Sequence, residues 1–239
     1  REPAYSLFEV TLAVLHEFGE IDEGLYAPRQ GWSDPLEYAG FDLEEGMSAR
    51  VRITDETGKL PLHALSGDQL QWLFEEMGLD FREAQELADS FLDWTDANDM
   101  RRLNGAEARW YEQEYSGVVP RPRNGLIVRF EELRQIKVFR TIFYDERGYE
   151  TDYYWIFREA VTLYGTGPVN VNTAPEVVLR VVNRAGGSDE ERWLEAMGQT
   201  RFATVDVEDT YFRSRDEVAG AGLVLPQGLE TTLTVELLR

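Results

Sequence analysis

Between residues 4 and 18, Leu7, Val10, Val14 and Phe18 recur at helical spacing, and Phe8, Leu12 and Leu15 widen the apolar stripe beyond a single row. The polar face offers Glu9, Glu17 and Glu20 but neither lysine nor arginine, so the pattern predicts a helix laid across a sheet, not one lying on a membrane surface. Gly19, Gly24, Pro28, Gly31, Pro35 and Gly40 then break all regular structure, in a loop that Trp32 and Tyr38 are expected to pin down. Met47, Ala49, Val51 and Ile53 alternate with polar neighbours, the period of a strand with one buried face. Residues 55–58 (Asp-Glu-Thr-Gly) read as the turn of a hairpin leading into residues 59–62.

Helical signals take over at Ser66. Ser66 with Gln69 forms a capping box, Leu70, Leu73, Phe74 and Met77 supply the stripe, and Gly78 ends it. Asp80 with Glu83 repeats the device ahead of Ala84, Leu87, Ala88, Phe91 and Leu92, and Asn104 with Glu107 predicts a third capped helix carrying Trp110 and Tyr111. Phe130, Leu133 and Ile136 suggest a short helix, whereas periodicity leaves residues 141–158 open between strand and irregular helix. Thr173, Pro175 and Glu176 open a further helix with Val177, Val178, Val181 and Val182. Residues 60–64 and 169–173 echo each other as extended entries into helical units. Helix signals return around Trp193, and residues 231–235 alternate like a final strand.

The 239 residues are 43% hydrophobic and 12% aromatic, which suits a folded chain with a substantial core. A net charge of -21 repels phosphate backbones and anionic lipid while attracting divalent cations and basic partners. Without cysteine there is no disulfide framework, and His16 and His63 lack the third ligand of a catalytic zinc site. No window holds the ~18 apolar residues of a membrane span.

The chemistry concentrates in residues 93–111. Asp93, Asp96, Asn98 and Asp99 crowd into seven positions just after the second capped helix, offering oxygen to a hard cation. Counted from Asp96, the calcium-loop pattern is met at Asp96, Asn98 and Glu107, but Met100 and Arg101 stand where an acid and the turn glycine belong, which excludes an EF-hand. Two readings stay open: an irregular oxygen site, or capping and Asx-turn residues in a solvated loop.

The same stretch, Asp93-Trp94-x-Asp96-x-Asn98-Asp99 followed by Asn104-Gly105-Ala106-Glu107 and Tyr111, resembles the signature of the K-type minor pseudopilins of bacterial type II secretion systems. Residues 55–60, 122–125, 131–134 and 169–174 match the family in order, so the resemblance spans roughly residues 46 to 182. It implies an α+β fold in which a pilin-like N-terminal helix packs on an antiparallel sheet, with a large helical domain inserted after the first hairpin. The implied domains are residues 1–62 (helix and first strands), 63–185 (inserted helical domain) and 186–239 (return to the sheet). The implied function is structural, at the tip of the secretion pseudopilus, with I-type and J-type minor pseudopilins joined through the N-terminal helix and secreted proteins as further partners. The expected location is the periplasm of a Gram-negative bacterium. The family's hydrophobic N-terminal anchor precedes this stretch, and the Arg1 start implies a processed or trimmed chain. Family members bind calcium at the matching loop, which implies a calcium set of Asp93, Asp96, Asn98, Asp99 and Glu107. His63 stands where the family usually has asparagine.

No nucleophile and base constellation is readable, so catalysis is not expected; adjacent Glu131 and Glu132 read as a solvated face. The competing reading is a helix-hairpin-helix module gripping a nucleic-acid backbone. Residues 137–140 (Lys-Val-Phe-Arg) hold its hairpin position without the glycines that turn amides toward phosphate, and the overall charge opposes it.

Overall fold

The computed structural model describes residues 2–43, 46–165, 168–186, 211–220 and 229–230. It separates into two compact units: residues 1–58, 168–174 and 188–239 make the first, and residues 59–167 and 175–187 the second.

In the first unit, helix α1 (Glu2–Ile21) presents Val14 and Phe18 to Leu25 and Trp32, with Val10, Leu15 and Ile53 packed around them. The outer row is not covered within the described residues: Phe8 is 59% and Leu12 41% exposed. The glycine-rich loop is held by one side chain. Gln30 Oε1 accepts from the amides of Tyr26 and Ala27 and from Trp32 Nε1, while its Nε2 donates to Asp22 and to the Gly24 carbonyl. Trp32 is thereby buried, and Tyr38, at the end of the short helix α2 (Pro35–Tyr38), lies against Phe18 with ring centroids 4.7 Å apart.

The expected strand over residues 47–54 and the hairpin after it do not form. Val51 and Ile53 are more buried than their neighbours, so the alternation does select a face, but no described strand pairs with this stretch. A strand needs a hydrogen-bonding partner as well as a face. Residues Glu56–Gly58 form a 3-10 turn, and strand β1 (Leu60–Pro61) pairs with β2 (Val161–Thr162) in parallel. The second ladder, β3 (Val169–Asn170) with β4 (Leu229–Glu230), is also parallel. Among the described residues the expected antiparallel sheet is therefore replaced by two short parallel ladders and an isolated antiparallel bridge between Tyr144 and Glu150. The expected strand at residues 231–235 and the helix around Trp193 lie outside the described residues.

The second unit is helical. Both expected capping boxes are present: Ser66 opens α3 (Gly67–Glu76) and Asp80 opens α4 (Phe81–Thr95). Leu70, Leu73 and Phe74 of α3 face Ala84, Leu87, Ala88 and Phe91 of α4 in the core, and Gly78 takes the left-handed conformation (φ 97°) that stops α3. Aromatics fill the centre: Phe74 stacks on Phe157 at 5.7 Å, and Phe139 meets Phe143 edge to face at 5.0 Å. Each such ring contributes roughly 1.5–3 kcal/mol by leaving water. The undecided stretch resolves into α6 (Phe139–Ile142) and α7 (Asp152–Ala160), whose buried Tyr154, Phe157 and Ala160 share one face. Helix α5 (Ala108–Glu114) lies between α4 and α6 in the chain, and α8 (Glu176–Gly186) packs back on α3, where Arg184 reaches Glu75 at 2.8 Å.

Candidate cation-binding loop

Helix α4 ends by delivering Asp93 and Asp96 into the turn that follows. Asp93 is fully buried in the last helical turn, and Asp96 is the extended C-cap residue (φ -77°, ψ 164°) whose amide closes the helix on Leu92 O at 2.9 Å. Asp96 Oδ1 then accepts from Asn98 N (3.1 Å) and Nδ2 (2.8 Å), and Asn98 Oδ1 accepts from Met100 N (2.8 Å). Two successive Asx-turns thus shape residues 96–100, because these short side chains reach their own backbone two positions on.

Arg102 closes the loop. Its guanidinium Nη1 lies 2.8 Å from Asp93 Oδ1 and 2.6 Å from Asp96 Oδ2, and its amide donates to Asp93 Oδ2 at 3.1 Å. Beyond it, Asp89 accepts from the amide (3.1 Å) and the Nδ2 (3.0 Å) of Asn104. Lys137 donates from Nζ to the Asn104 carbonyl (2.7 Å), pairs with Glu86 at 3.1 Å, and gives its amide to the buried Tyr111 hydroxyl (2.9 Å). Hence Asn104 is engaged by Asp89 and does not cap α5. The expected Asn104–Glu107 capping box is absent: Glu107 is itself the N-cap residue, and its side chain makes no capping bond.

Glu107 is the anomaly of the site. It is only 5% exposed, and both carboxylate oxygens are buried with no hydrogen-bond partner. Burial first, then the charges of Asp93, Asp96 and Asp99, push its pKa up to about 7. Asp93 is also raised, by burial, although Arg102 pulls the other way. Asp99 is exposed. Four carboxylates therefore share one neighbourhood with one guanidinium, and the two buried Glu107 oxygens lack a donor.

These oxygens fit a hard cation chemically, since carboxylates and an amide carbonyl are the ligands calcium takes. As arranged, however, Arg102 stands between Asp93 and Asp96, and among the described residues no three acidic or histidine side chains converge on one point. Asp93 and Asp96 would turn to a cation only by releasing Arg102. The expected set is thus gathered along one loop, with Arg102, Asp89 and Lys137 as its unforeseen framework. Sequence spacing offers no sign of which arginine, Arg101 or Arg102, turns inward.

Residues 52–146, which contain this whole loop, match the sequence model of the family described as type II secretion system (T2SS), protein K. The type II secretion system protein K of Pseudomonas aeruginosa is 28% identical over 187 residues, 74% of this chain, and the chain spans about half (52%) of that relative's length. A chain in the crystal structure of the GspK-GspI-GspJ complex from the enterotoxigenic Escherichia coli type 2 secretion system is similar with a TM-score of 0.48 at 15% identity, over 75% of this chain and 64% of that one. Over residues 52–146 the chain is similar to type II secretion system protein K.

Proposed function

We propose that this chain is a non-catalytic, structural minor pseudopilin of the K type that sits at the tip of the type II secretion pseudopilus and helps to initiate and cap its assembly for export of folded proteins. The observation that carries this reading is the family match, which covers the larger part of the helical unit and contains the hydrogen-bonded loop of residues 93–107. A pilin-like role for α1 draws on its 20-residue length and its two apolar rows, one on the Leu25 and Trp32 cluster and one, with Phe8 and Leu12, exposed. A helix that needed to cover only one face would not carry the second row. I-type and J-type minor pseudopilins are the occupants proposed for it, and the bulk of the helical unit would obstruct addition of a further subunit beyond it. The setting is the periplasmic side of the inner membrane, with anchorage by a hydrophobic segment ahead of α1. No helix among the described residues is long and apolar enough to cross a membrane.

Mixing this chain with the soluble domains of the two other minor pseudopilins tests the assembly. A single faster-sedimenting boundary in analytical ultracentrifugation at tens of micromolar is expected, and Phe8→Glu with Leu12→Glu should return the mixture toward monomers. Three independent monomer boundaries from the wild-type chains would overturn the reading.

Calcium is proposed as the ligand of the loop, held by Asp93, Asp96, Asn98, Asp99 and Glu107. The two unpartnered Glu107 oxygens and the crowding that raises its pKa support this. Calcium suits an irregular set of oxygen donors better than magnesium, which demands near-octahedral geometry. The bound ion would supply the positive charge these carboxylates lack.

A further inference from the structure

Residues 115–130 contain Arg121, Arg123 and Arg129 and no acid, in a chain whose net charge is -21. They border a groove of about 590 Å³ in the helical unit, with the buried Trp94 in its lining. That volume is of the size that encloses small ligands or a few residues of a peptide. One arginine is already committed: Arg123 pairs with Glu132 at 3.0 Å, and Glu132 also accepts from Trp94 Nε1 at 2.9 Å, so this corner is neutral and rigid. Arg121 and Arg129 are exposed and make no ion pair or hydrogen bond through their side chains to any described residue, and the exposed Glu131 is the one unneutralised acid in the lining.

The backbone beside these arginines is also free. Arg129 is fully extended (φ -146°, ψ 140°), Leu126 and Val128 are 62% and 57% exposed, and their amides donate to no described residue. Between them Ile127 is buried, and its carbonyl accepts from His63 Nε2 at 2.9 Å, which fixes the segment in place. An extended stretch with its amides unpaired is a template for an added strand. Guanidinium groups add bidentate recognition of carboxylate.

We propose that residues 126–129 and the adjoining Arg121 and Arg129 groove form a docking site for an extended segment of a partner protein in which carboxylate and aliphatic side chains alternate. Alternation follows from the pleat: successive side chains of a docked segment point to opposite sides, so its acids reach Arg121 and Arg129 in the groove while its aliphatics turn toward the exposed Leu126. The acidic exterior does not forbid this. At physiological ionic strength charges beyond about 8 Å are screened, so the two nearby arginines dominate what a docked carboxylate feels. The proposal rests neither on the assembly role of α1 nor on cation binding at the loop of residues 93–107.

The test is fluorescence anisotropy of a fluorescein-labelled decapeptide alternating glutamate and valine, titrated with the full chain at physiological salt. Controls are the lysine-valine decapeptide and a ten-nucleotide single-stranded thymidine oligonucleotide. Binding of the glutamate peptide alone is expected, weakened at least tenfold by R121E/R129E and less by R121A/R129A, with melting temperatures unchanged in both variants. A glutamate peptide N-methylated at every second residue should bind at least tenfold more weakly, because it cannot complete the ladder. Equal affinity of wild type and R121E/R129E, full affinity of the N-methylated peptide, binding of the lysine peptide or oligonucleotide as tight as that of the acidic one, or no binding at ~1 mM protein, each overturns the proposal.

Discussion

A Cβ placed on Gly105 would lie 2.0 Å from Oδ2 of Asp93 and 2.9 Å from the carbonyl oxygen of Asp89. Neither neighbour can yield cheaply, since one is a fully buried carboxylate held by Arg102 and the other is helix backbone. Gly105→Ala should therefore cost about 2–3 kcal/mol, in the range of overpacking. For a chain of this size that is a fall of roughly 5–10 °C in melting temperature. Wild-type melting of G105A would show that Asp93 is not held beneath Gly105.

Asn170 performs a comparable service in the first unit. Fully buried, it donates from Nδ2 to the Tyr26 carbonyl (2.9 Å) and to Asp55 Oδ2 (3.0 Å) and accepts from Asn172 N at 3.1 Å. Asn170→Asp keeps the shape but replaces a two-bond donor with an acceptor beside Asp55. It should destabilise by at least ~3 kcal/mol at pH 7, and by less at pH 4 where the acid is neutralised, whereas Asn170→Ala loses a pH-independent ~2 kcal/mol. Urea unfolding of the two variants at both pH values distinguishes electrostatic from purely hydrogen-bonding loss.

What the sequence revealed was what is decided locally. Ser66 with Gln69 and Asp80 with Glu83 form their boxes because all partners lie within one turn. The same letters at Asn104 and Glu107 fail because Asp89, 15 positions away in the chain, captures Asn104 first. Alternation at residues 47–54 gave a facing side but could not supply a pairing strand, and β1 finds its partner a hundred residues later. The site behaves likewise. Its acids were visible from spacing, while the inward turn of Arg102, the lock by Lys137 and the stranded carboxylate of Glu107 depend on contacts made after folding.

Glu107 should make stability pH-dependent in EDTA. Its folded pKa of about 7 lies above the 4.5 of an ordinary glutamate, so between these values the folded chain keeps a proton that the unfolded chain has lost. The contribution is fully present below pH 4.5 and is lost as pH rises through about 7, for a total of about 3 kcal/mol. Glu107→Gln cannot ionise and resembles the protonated acid, so its stability relative to wild type should climb by that amount between pH 4.5 and pH 8. Parallel pH profiles for the two proteins, measured by urea unfolding, would show that Glu107 titrates as an ordinary surface acid.

Calcium should reverse this dependence. A divalent ion at the loop favours the ionised Glu107 and offsets the repulsion among Asp93, Asp96 and Asp99, which burial and crowding now impose on it. By mass action, calcium at a hundredfold excess over its dissociation constant adds about 2.7 kcal/mol, or roughly 5–10 °C in melting temperature. Magnesium at the same concentration should give a smaller shift. Asp96→Ala with Asp99→Ala should remove the calcium shift while leaving the far-ultraviolet helical signal in place, because neither side chain lies in the core of the helical unit. In E107Q the shift should shrink without vanishing, since four of the five proposed oxygen donors remain. Scanning calorimetry of the three proteins with and without 1 mM calcium, a concentration in the range of extracellular calcium modules, makes the comparison. An equal rise in wild type and in the aspartate double variant would mean that calcium acts on the diffuse negative surface and not on this loop.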